Sequence, residues 1–279
     1  MAQLRRAQQR RRNLRRAAIA GVFVIIAVVA AYLTAGSGSS KKKTTTNSPT
    51  TTAAPASTTA APNSSTTAAG SPPTAAPVPA GAKITGATPC PNPDGSSPHT
   101  TSFAQPPPSC LDPGKTYSAT FDTTEGTIVV ALDTKTTPIT ANNFVVLARY
   151  HYYDGSAIFR TDTSIDIVQG GGPSTQSPSD PGPGYTIKDE GAPPRHYQPG
   201  DLVMARTGSP NSAGAEYFFC AGPKCSGLDS QGTYVTFAHV STGLDVVQKI
   251  EALNQDNGSG LGGAPSRVVI VKSVKIAES

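Results

Sequence analysis

TPITANNFVVLARYHYYDGSAIFR, residues Thr137–Arg160, decides the fold. Thr137-Pro138 opens a helix, because Pro is preorganised for the first helical position and has no N–H to leave unsatisfied there. Ile139, Asn143–Val146 and Leu147 recur at helical spacing through Tyr150. A strand follows at Ala157–Arg160. Upstream, Tyr117–Phe121 and Thr127–Leu132 alternate or run apolar around Glu125-Gly126, the pattern of a β-hairpin. Downstream, short strands are predicted at Ile165–Gln169, Leu202–Arg206, Glu216–Cys220 and Tyr234–Ala238, a second helix at Leu244–Leu253, and a closing strand at Val268–Ile276. A Gly/Pro-rich loop at 170–200 separates the strand groups. Many short strands with two helices point to a mostly β chain, a closed barrel capped by helices, over 116–279.

N-terminal to this block the composition changes. Residues 83–115 form a Cys-containing, Pro-rich extension with no helical or strand period. Residues 35–82 are a linker rich in Ser, Thr, Ala and Pro, in which TTAAP occurs at 51–55 and again at 58–62. Such a segment lacks the apolar content to offset ordering entropy and reads as disordered. About 48 residues of flexible coil span roughly 35–40 Å. Residues 17–34 are apolar and uncharged, long enough for one membrane-spanning helix. Ten of the 23 basic residues lie in 1–43, which hold no acid, so 44–279 carry 13 basic and 18 acidic residues, a net of −5. The basic charge thus belongs to a cytoplasmic head (1–16) and a short exit run, not to a nucleic-acid surface, and the positive-inside rule places the remainder outside. A cleaved signal is the competing reading.

Four cysteines outside the cell argue for disulfides. Three pairings are possible, and the local ones, Cys90–Cys110 and Cys220–Cys225, are favoured. Cys-x4-Cys without a well-spaced His argues against a metal, and an oxidising compartment argues against a catalytic thiol.

The opening stretch resembles the cyclophilin segment: a Pro-opened helix, an Asn-Phe pair, a Leu one turn on, then Tyr-x-Gly and an x-Arg strand. The matching positions are Pro138, Thr140, Asn143, Phe144, Leu147, Tyr153, Gly155 and Arg160, without a gap. In the family's order follow Gln169-Gly170-Gly171, a Gly-rich turn from Gly182 to Asp189-Glu190, Leu202-Val-Met204-Ala205, Gly214–Phe219, Leu228-Asp229 and Tyr234–Phe237. The resemblance spans Tyr117 to Ile276. It implies an eight-stranded barrel and peptidyl-prolyl cis-trans isomerase activity with neither metal nor organic cofactor.

The chemistry so implied follows from the amide bond. Resonance gives X–Pro rotation a barrier of roughly 18–20 kcal/mol. Twisting the bond localises a lone pair on the prolyl nitrogen, and a fixed cationic donor aimed there favours the twisted state over either planar one. By resemblance Arg160 is that donor. Ile167, Phe218 and Leu228 line the proline pocket, with Tyr234 at its edge where His is common. Gln169 and the Ala205-Arg206 backbone meet the substrate chain, and Phe159 stands where the family often has His. Several positions depart from the family. One residue is inserted between Arg160 and Gln169, and Asp166 falls where Phe is usual, so either the pocket wall is broken or the register differs. Glu216 replaces Gln, as a carboxylate placed to pair with Arg160 or Arg206. Arg206 replaces Asn, and the chain has no Trp.

Other signals are weaker. Gly258-Ser-Gly260-Leu-Gly-Gly263 fits a dinucleotide spacing but follows a helix and precedes Pro265, so it reads as a loop. No nucleophile elbow supports a hydrolase. His99, His151, His196 and His239 show no metal spacing. The expected protein is a monomeric isomerase held at the cell membrane by its N-terminal helix, the folded part extracytoplasmic, acting on Pro-containing polypeptides of exported proteins and not on nucleic acid. The alternative is a weakened cyclophilin-like module that binds Pro-containing peptides.

Overall fold

The computed structural model describes residues 74–279 except Ala192 and Pro194. The basic head, the apolar stretch and residues 35–73 of the linker lie outside the described residues, and with them the expected membrane helix. Among the described residues no helix is long and apolar enough to cross a membrane.

The elements are β1 (Ala82–Ile84), β2 (Thr100–Phe103), β3 (Tyr117–Thr123), β4 (Thr127–Leu132), α1 (Pro138–Arg149), β5 (Ser156–Asp162), β6 (Ile167–Gly170), β7 (Asp201–Met204), β8 (Tyr217–Cys220), a 3-10 helix (Pro223–Ser230), β9 (Val235–Thr242), α2 (Leu244–Glu251) and β10 (Val269–Glu278). Strands β10, β3, β4, β9, β7, β8, β6 and β5 hydrogen-bond in that order and close into a barrel. The closing seam pairs Val269, Ile270 and Val271 of β10 with Ile158, Ala157 and Ser156 of β5. The mostly β barrel with two helices is the architecture the sequence predicts.

Alternation explains the barrel. Along β3, Tyr117, Ala119, Phe121 and Thr123 are buried while Asp122 is exposed, as a strand with one face on a core requires. Phe121, Phe144, Tyr217 and Phe219 meet in the interior, with Phe121–Phe219 ring centroids 5.3 Å apart. Phe144 comes from α1 and stacks on Tyr153 at 5.2 Å. That contact explains why the Asn-Phe and Tyr-x-Gly positions of the opening stretch travel together: one supplies the ring, the other its platform. Val247 and Ile250 of α2 join the same core.

Helix α1 is capped from a distance. Both carboxylate oxygens of Glu190 accept bonds from its first turn, from the Ile139 amide at 2.8 Å and from the Thr140 amide at 2.6 Å. A negative group on unsatisfied helix N–H groups is favourable at that end. Asn143, on the same helix, donates to the Gly214 carbonyl and accepts from the Tyr185 hydroxyl, which fixes the chain leading into β8.

The extension differs from its sequence reading. Residues 83–115 carry no strand period, yet β1 and β2 form a parallel two-stranded sheet. Strands of 3 and 4 residues are too short to show a period, and their partners are each other. The extension docks through the Asn142 side chain, which accepts from the Cys110 amide and donates to the Pro108 carbonyl, and through the Tyr150 hydroxyl on the Pro89 carbonyl. The Cys90–Cys110 and Cys220–Cys225 disulfides are both formed. Residues 76–82, which composition groups with the linker, are also tied down. The Ala76 carbonyl accepts from the Gln176 side chain, and the Val78 amide donates to the Pro173 carbonyl.

Candidate active site

The site lies on the outer face of four adjacent strands. Across the ladder Arg160 of β5 pairs with Gln169 of β6, Gln169 with Phe218 of β8, and Phe218 with Val203 of β7. Directly opposed residues of an antiparallel pair share a face. Their neighbours Thr161, Val168, Phe219 and Leu202 point the other way, the last three into the barrel core. One row therefore carries a guanidinium, an amide and two apolar side chains outward.

Arg160 reaches that face through a bulge. Ile158 points into the core, and two residues on Arg160 would do the same in a regular strand. The register slips between Ile158 and Arg160, so Phe159 is the extra residue and Arg160 turns outward. Bulges commonly re-aim a side chain beside an active site.

Three bonds hold the guanidinium. Nη2 donates to Asp162 Oδ2 at 2.9 Å, Nη1 to Gln169 Oε1 at 2.9 Å, and Nε to the Leu261 carbonyl at 2.6 Å. A guanidinium has more N–H donors than these bonds use, so unengaged donors remain on both terminal nitrogens. The Asp162 side chain is 3% exposed and that of Arg160 21%. The carboxylate is a buried anchor, and the cation stays open to a ligand.

Leu261 lies in the Gly258–Gly263 loop, which is no dinucleotide turn. Gly262 has φ +71°, and a Cβ there would overlap the Thr161 carbonyl oxygen and lie 2.7 Å from Asp162 Cβ. Only glycine lets the loop lie this close to β5.

Beside the row is a second apolar cluster, separate from the barrel core: Ile167, Tyr197, Val203, Phe218, Cys220, Cys225 and Leu228, with Ile165, Ala205 and Tyr234 packed against it. Tyr234 stands edge-on to Phe218, ring centroids 5.6 Å apart. Leu228 and Cys225 come from the 3-10 helix, which the Cys220–Cys225 disulfide fastens to the end of β8.

The structure thus brings together Arg160, Gln169, Ile167, Phe218, Leu228, Tyr234 and Ala205. Other expectations need correction. For Asp166 the second of the two alternatives holds: the local register differs. Asp166 lies in the β5–β6 turn with φ +49°, and its carboxylate turns toward the 3-10 helix, accepting the Lys224 amide at 2.9 Å. The inserted residue is absorbed there, so β6 starts at Ile167 instead of Ile165, and Ile165 packs on the cluster. Phe159 is buried at the bulge and joins neither apolar cluster. The Ala205 amide is engaged by the Glu216 carbonyl.

Neither expected partner of Glu216 forms an ion pair with it. Arg160 pairs with Asp162. Arg206 donates to the Thr233 and Ser209 carbonyls, stands 3.7 Å from Asp189 and stacks over the Tyr234 ring. Glu216 accepts instead from Gln169 Nε2 at 2.9 Å. Burial pushes its carboxyl up to about 7, against the pull of the Gln169 bond; Asp180 raises it further and Arg160 lowers it.

Sequence reading missed Asp162, the Leu261 carbonyl and Tyr197. Asp162 lies two residues from Arg160 on the same strand face, a spacing that could have flagged it. Tyr197 comes from the long loop and bonds the Tyr234 backbone at both ends, its hydroxyl donating to the Tyr234 carbonyl and accepting from the Tyr234 amide. No local pattern announces that.

The sequence model of the family described as cyclophilin type peptidyl-prolyl cis-trans isomerase matches residues 118–276. The chain belongs to the cyclophilin family. Its cyclophilin domain is 32% identical over 163 residues to peptidyl-prolyl cis-trans isomerase cyp18 of Streptomyces antibioticus, covering 56% of this chain and 96% of the relative. It is 32% identical over 166 residues to peptidyl-prolyl cis-trans isomerase B of Escherichia coli K12, covering 57% and 99%. A crystal structure of a cyclophilin type isomerase of Cryptosporidium parvum superposes with a TM-score of 0.50 at 26% identity, covering 58% and 98%. Another structure of that protein, obtained in the presence of the dipeptide Ala-Pro, gives the same score and identity. The cyclophilin domain is therefore a peptidyl-prolyl cis-trans isomerase by family.

Proposed function

We propose that the cyclophilin domain turns X–Pro bonds of exported polypeptides, Arg160 stabilising the twisted amide. The observation that carries the reading is the outward row itself: a guanidinium braced on three sides, with donors to spare, one strand from Gln169 and two from Phe218. Two strand spacings are roughly 10 Å, a gap that the Arg160 side chain and a proline ring seated against Phe218 together bridge. Ile167, Leu228 and Tyr234 enclose the ring. Gln169 and the strand end at Ala205-Arg206 hold the substrate chain. No bond to the substrate is broken, so the residues act by position and charge alone. Pairing with Asp162 fixes the guanidinium before substrate arrives, and preorganised donors of this kind cost no reorganisation at the transition state.

The substrate class and location rest on the sequence. Two disulfides suit an oxidising compartment, and the basic head followed by an apolar stretch supports a single-pass anchor with a cytoplasmic N-terminus. The test is cis-to-trans conversion of an X–Pro peptide by the full chain in detergent, beside Arg160→Ala. Loss of roughly 100-fold or more in kcat/KM is expected, as for other single charge-stabilising donors. Equal rates in both proteins refute the role of Arg160. Binding of the peptide by the wild type without turnover establishes the alternative, a binding module. N-terminal sequencing of the native protein tests the anchor: a start after Ala35 overturns it.

A further inference from the structure

Glu216 sits just before β8, two residues from Phe218, and so shares the outer face with Phe218 and Gln169. Gln169 joins it to the reacting centre: its amide nitrogen donates to Glu216 and its oxygen accepts from Arg160. The carboxylate is thus two hydrogen bonds from the guanidinium. It is half-buried, and among the described residues no cation lies within 4.0 Å of it. Both cations that sequence pairs with it are held elsewhere, Arg160 by Asp162 and Arg206 by Asp189 and three backbone carbonyls.

A second acid reinforces the first. The Asp180 charge acts on Glu216. The hydroxyl of Tyr152, a fully buried side chain, has no hydrogen-bond partner and lies within the field of both. Asp180 itself is fixed by the Thr175 and Gly182 amides, so it cannot turn away. An ionised carboxylate only accepts hydrogen bonds. A half-buried one without a counter-ion is a standing desolvation cost that an incoming cation relieves.

We propose that Glu216, with Asp180 behind it, is a specificity-determining residue that selects Pro-containing chains carrying Lys or Arg at a position flanking the proline. The proposal rests on the isomerase reading of the same site. An ammonium or guanidinium of the substrate completes the pair that the chain's own arginines leave open, and an acidic side chain is repelled there. Glu216 accepts from Gln169 on β6, feels the charges of Asp180 in the long loop and Arg160 on β5, and itself acts on the Tyr152 hydroxyl after α1. Burial raises the Glu216 carboxyl to about 7. Binding of a cationic chain near pH 6 therefore releases a proton from Glu216.

The experiment uses the full chain in detergent with peptides that differ only in having Lys, Met or Glu immediately before, or immediately after, the proline. At pH 8 and low salt the wild type is expected to favour Lys over Met on the order of tenfold in kcat/KM at one of the two positions, a range typical of a partly desolvated charge pair. That ratio should fall toward one in Glu216→Gln at pH 8, and in the wild type at pH 5.5. Because it is a ratio within one protein, a general loss of activity in the variant does not mimic it. An equal Lys-to-Met ratio in both proteins at both positions overturns the proposal. If the wild type turns over no peptide, the isomerase reading fails separately. The same ratio is then taken from Kd by fluorescence anisotropy, and equal ratios in the two proteins overturn the charge selection.

Discussion

Replacing Glu216 by Gln should stabilise the protein at high pH and leave it unchanged at low pH. Burial raises this carboxyl from 4.5 to about 7. Below the unfolded value both states hold the proton, and the group contributes nothing to the pH dependence. Between 4.5 and about 7 the unfolded chain releases the proton while the folded one keeps it, so stability falls as pH rises. Above that window the full cost is present. A tenfold difference in proton affinity between the two states is worth about 1.4 kcal/mol, which gives an upper figure of about 3 kcal/mol, and contact with solvent at the groove lowers it to about 2 kcal/mol. Gln keeps the shape and still accepts from Gln169, so the variant should gain that amount at pH 8. For a domain of this size the gain is about 4–8 °C in Tm. Calorimetry of wild type and variant at pH 4 and pH 8 reads it directly. The same difference at both pH values, or a lower Tm for the variant at pH 8, refutes the assignment of a half-buried, uncompensated carboxylate.

Three further outcomes test the surroundings of the site. Asp162→Asn keeps the side-chain size but removes the charge that braces Arg160, and its single carbonyl oxygen cannot accept from both Arg160 and the Ser164 amide; kcat for an X–Pro peptide should drop about tenfold with KM little changed, since roughly 1.4 kcal/mol of transition-state stabilisation is at stake, whereas an equal rise in KM would mean Asp162 serves substrate binding. Gly262→Ala forces a side chain against β5 at a left-handed position, a conformation costing about 1–2 kcal/mol before any overlap is counted; it should lower Tm and kcat/KM together, and wild-type values for both would show that the loop does not brace Arg160. Breaking Cys90–Cys110 by Ser substitution should cost about 3 kcal/mol and breaking Cys220–Cys225 about 2 kcal/mol, from loops with sequence separations of 20 and 5. Only the second should also raise KM, because it carries the helix bearing Leu228; a KM change in the first alone would reverse that assignment.

The parts of this fold that were legible in the sequence are those where local pattern and final partner agree. The β3–β4 hairpin shows its alternation and its Glu125-Gly126 turn in one window, and α1 shows its Pro start and its apolar recurrence in another. Both elements appear within a few residues of their predicted limits. The start of β6 was misplaced because Asp166 takes a left-handed conformation with φ +49°, stabilised by a helix that lies far along the chain. At the site, the outward row was reachable through the family motifs. The bulge at Phe159 was not, since a register slip is a relation between two strands. Nor was the pairing of Glu216: charge alone suggested an arginine, and geometry chose Gln169.

The closed barrel has a consequence for the company this protein keeps. Chains awaiting proline isomerisation are incompletely folded and carry unpaired backbone N–H and C=O groups, which add readily to any open strand edge. Here the seam between β10 and β5 leaves the barrel with no such edge. An extended chain therefore cannot join the barrel as a further strand. Closure thus removes the barrel itself as a template on which such chains could pair.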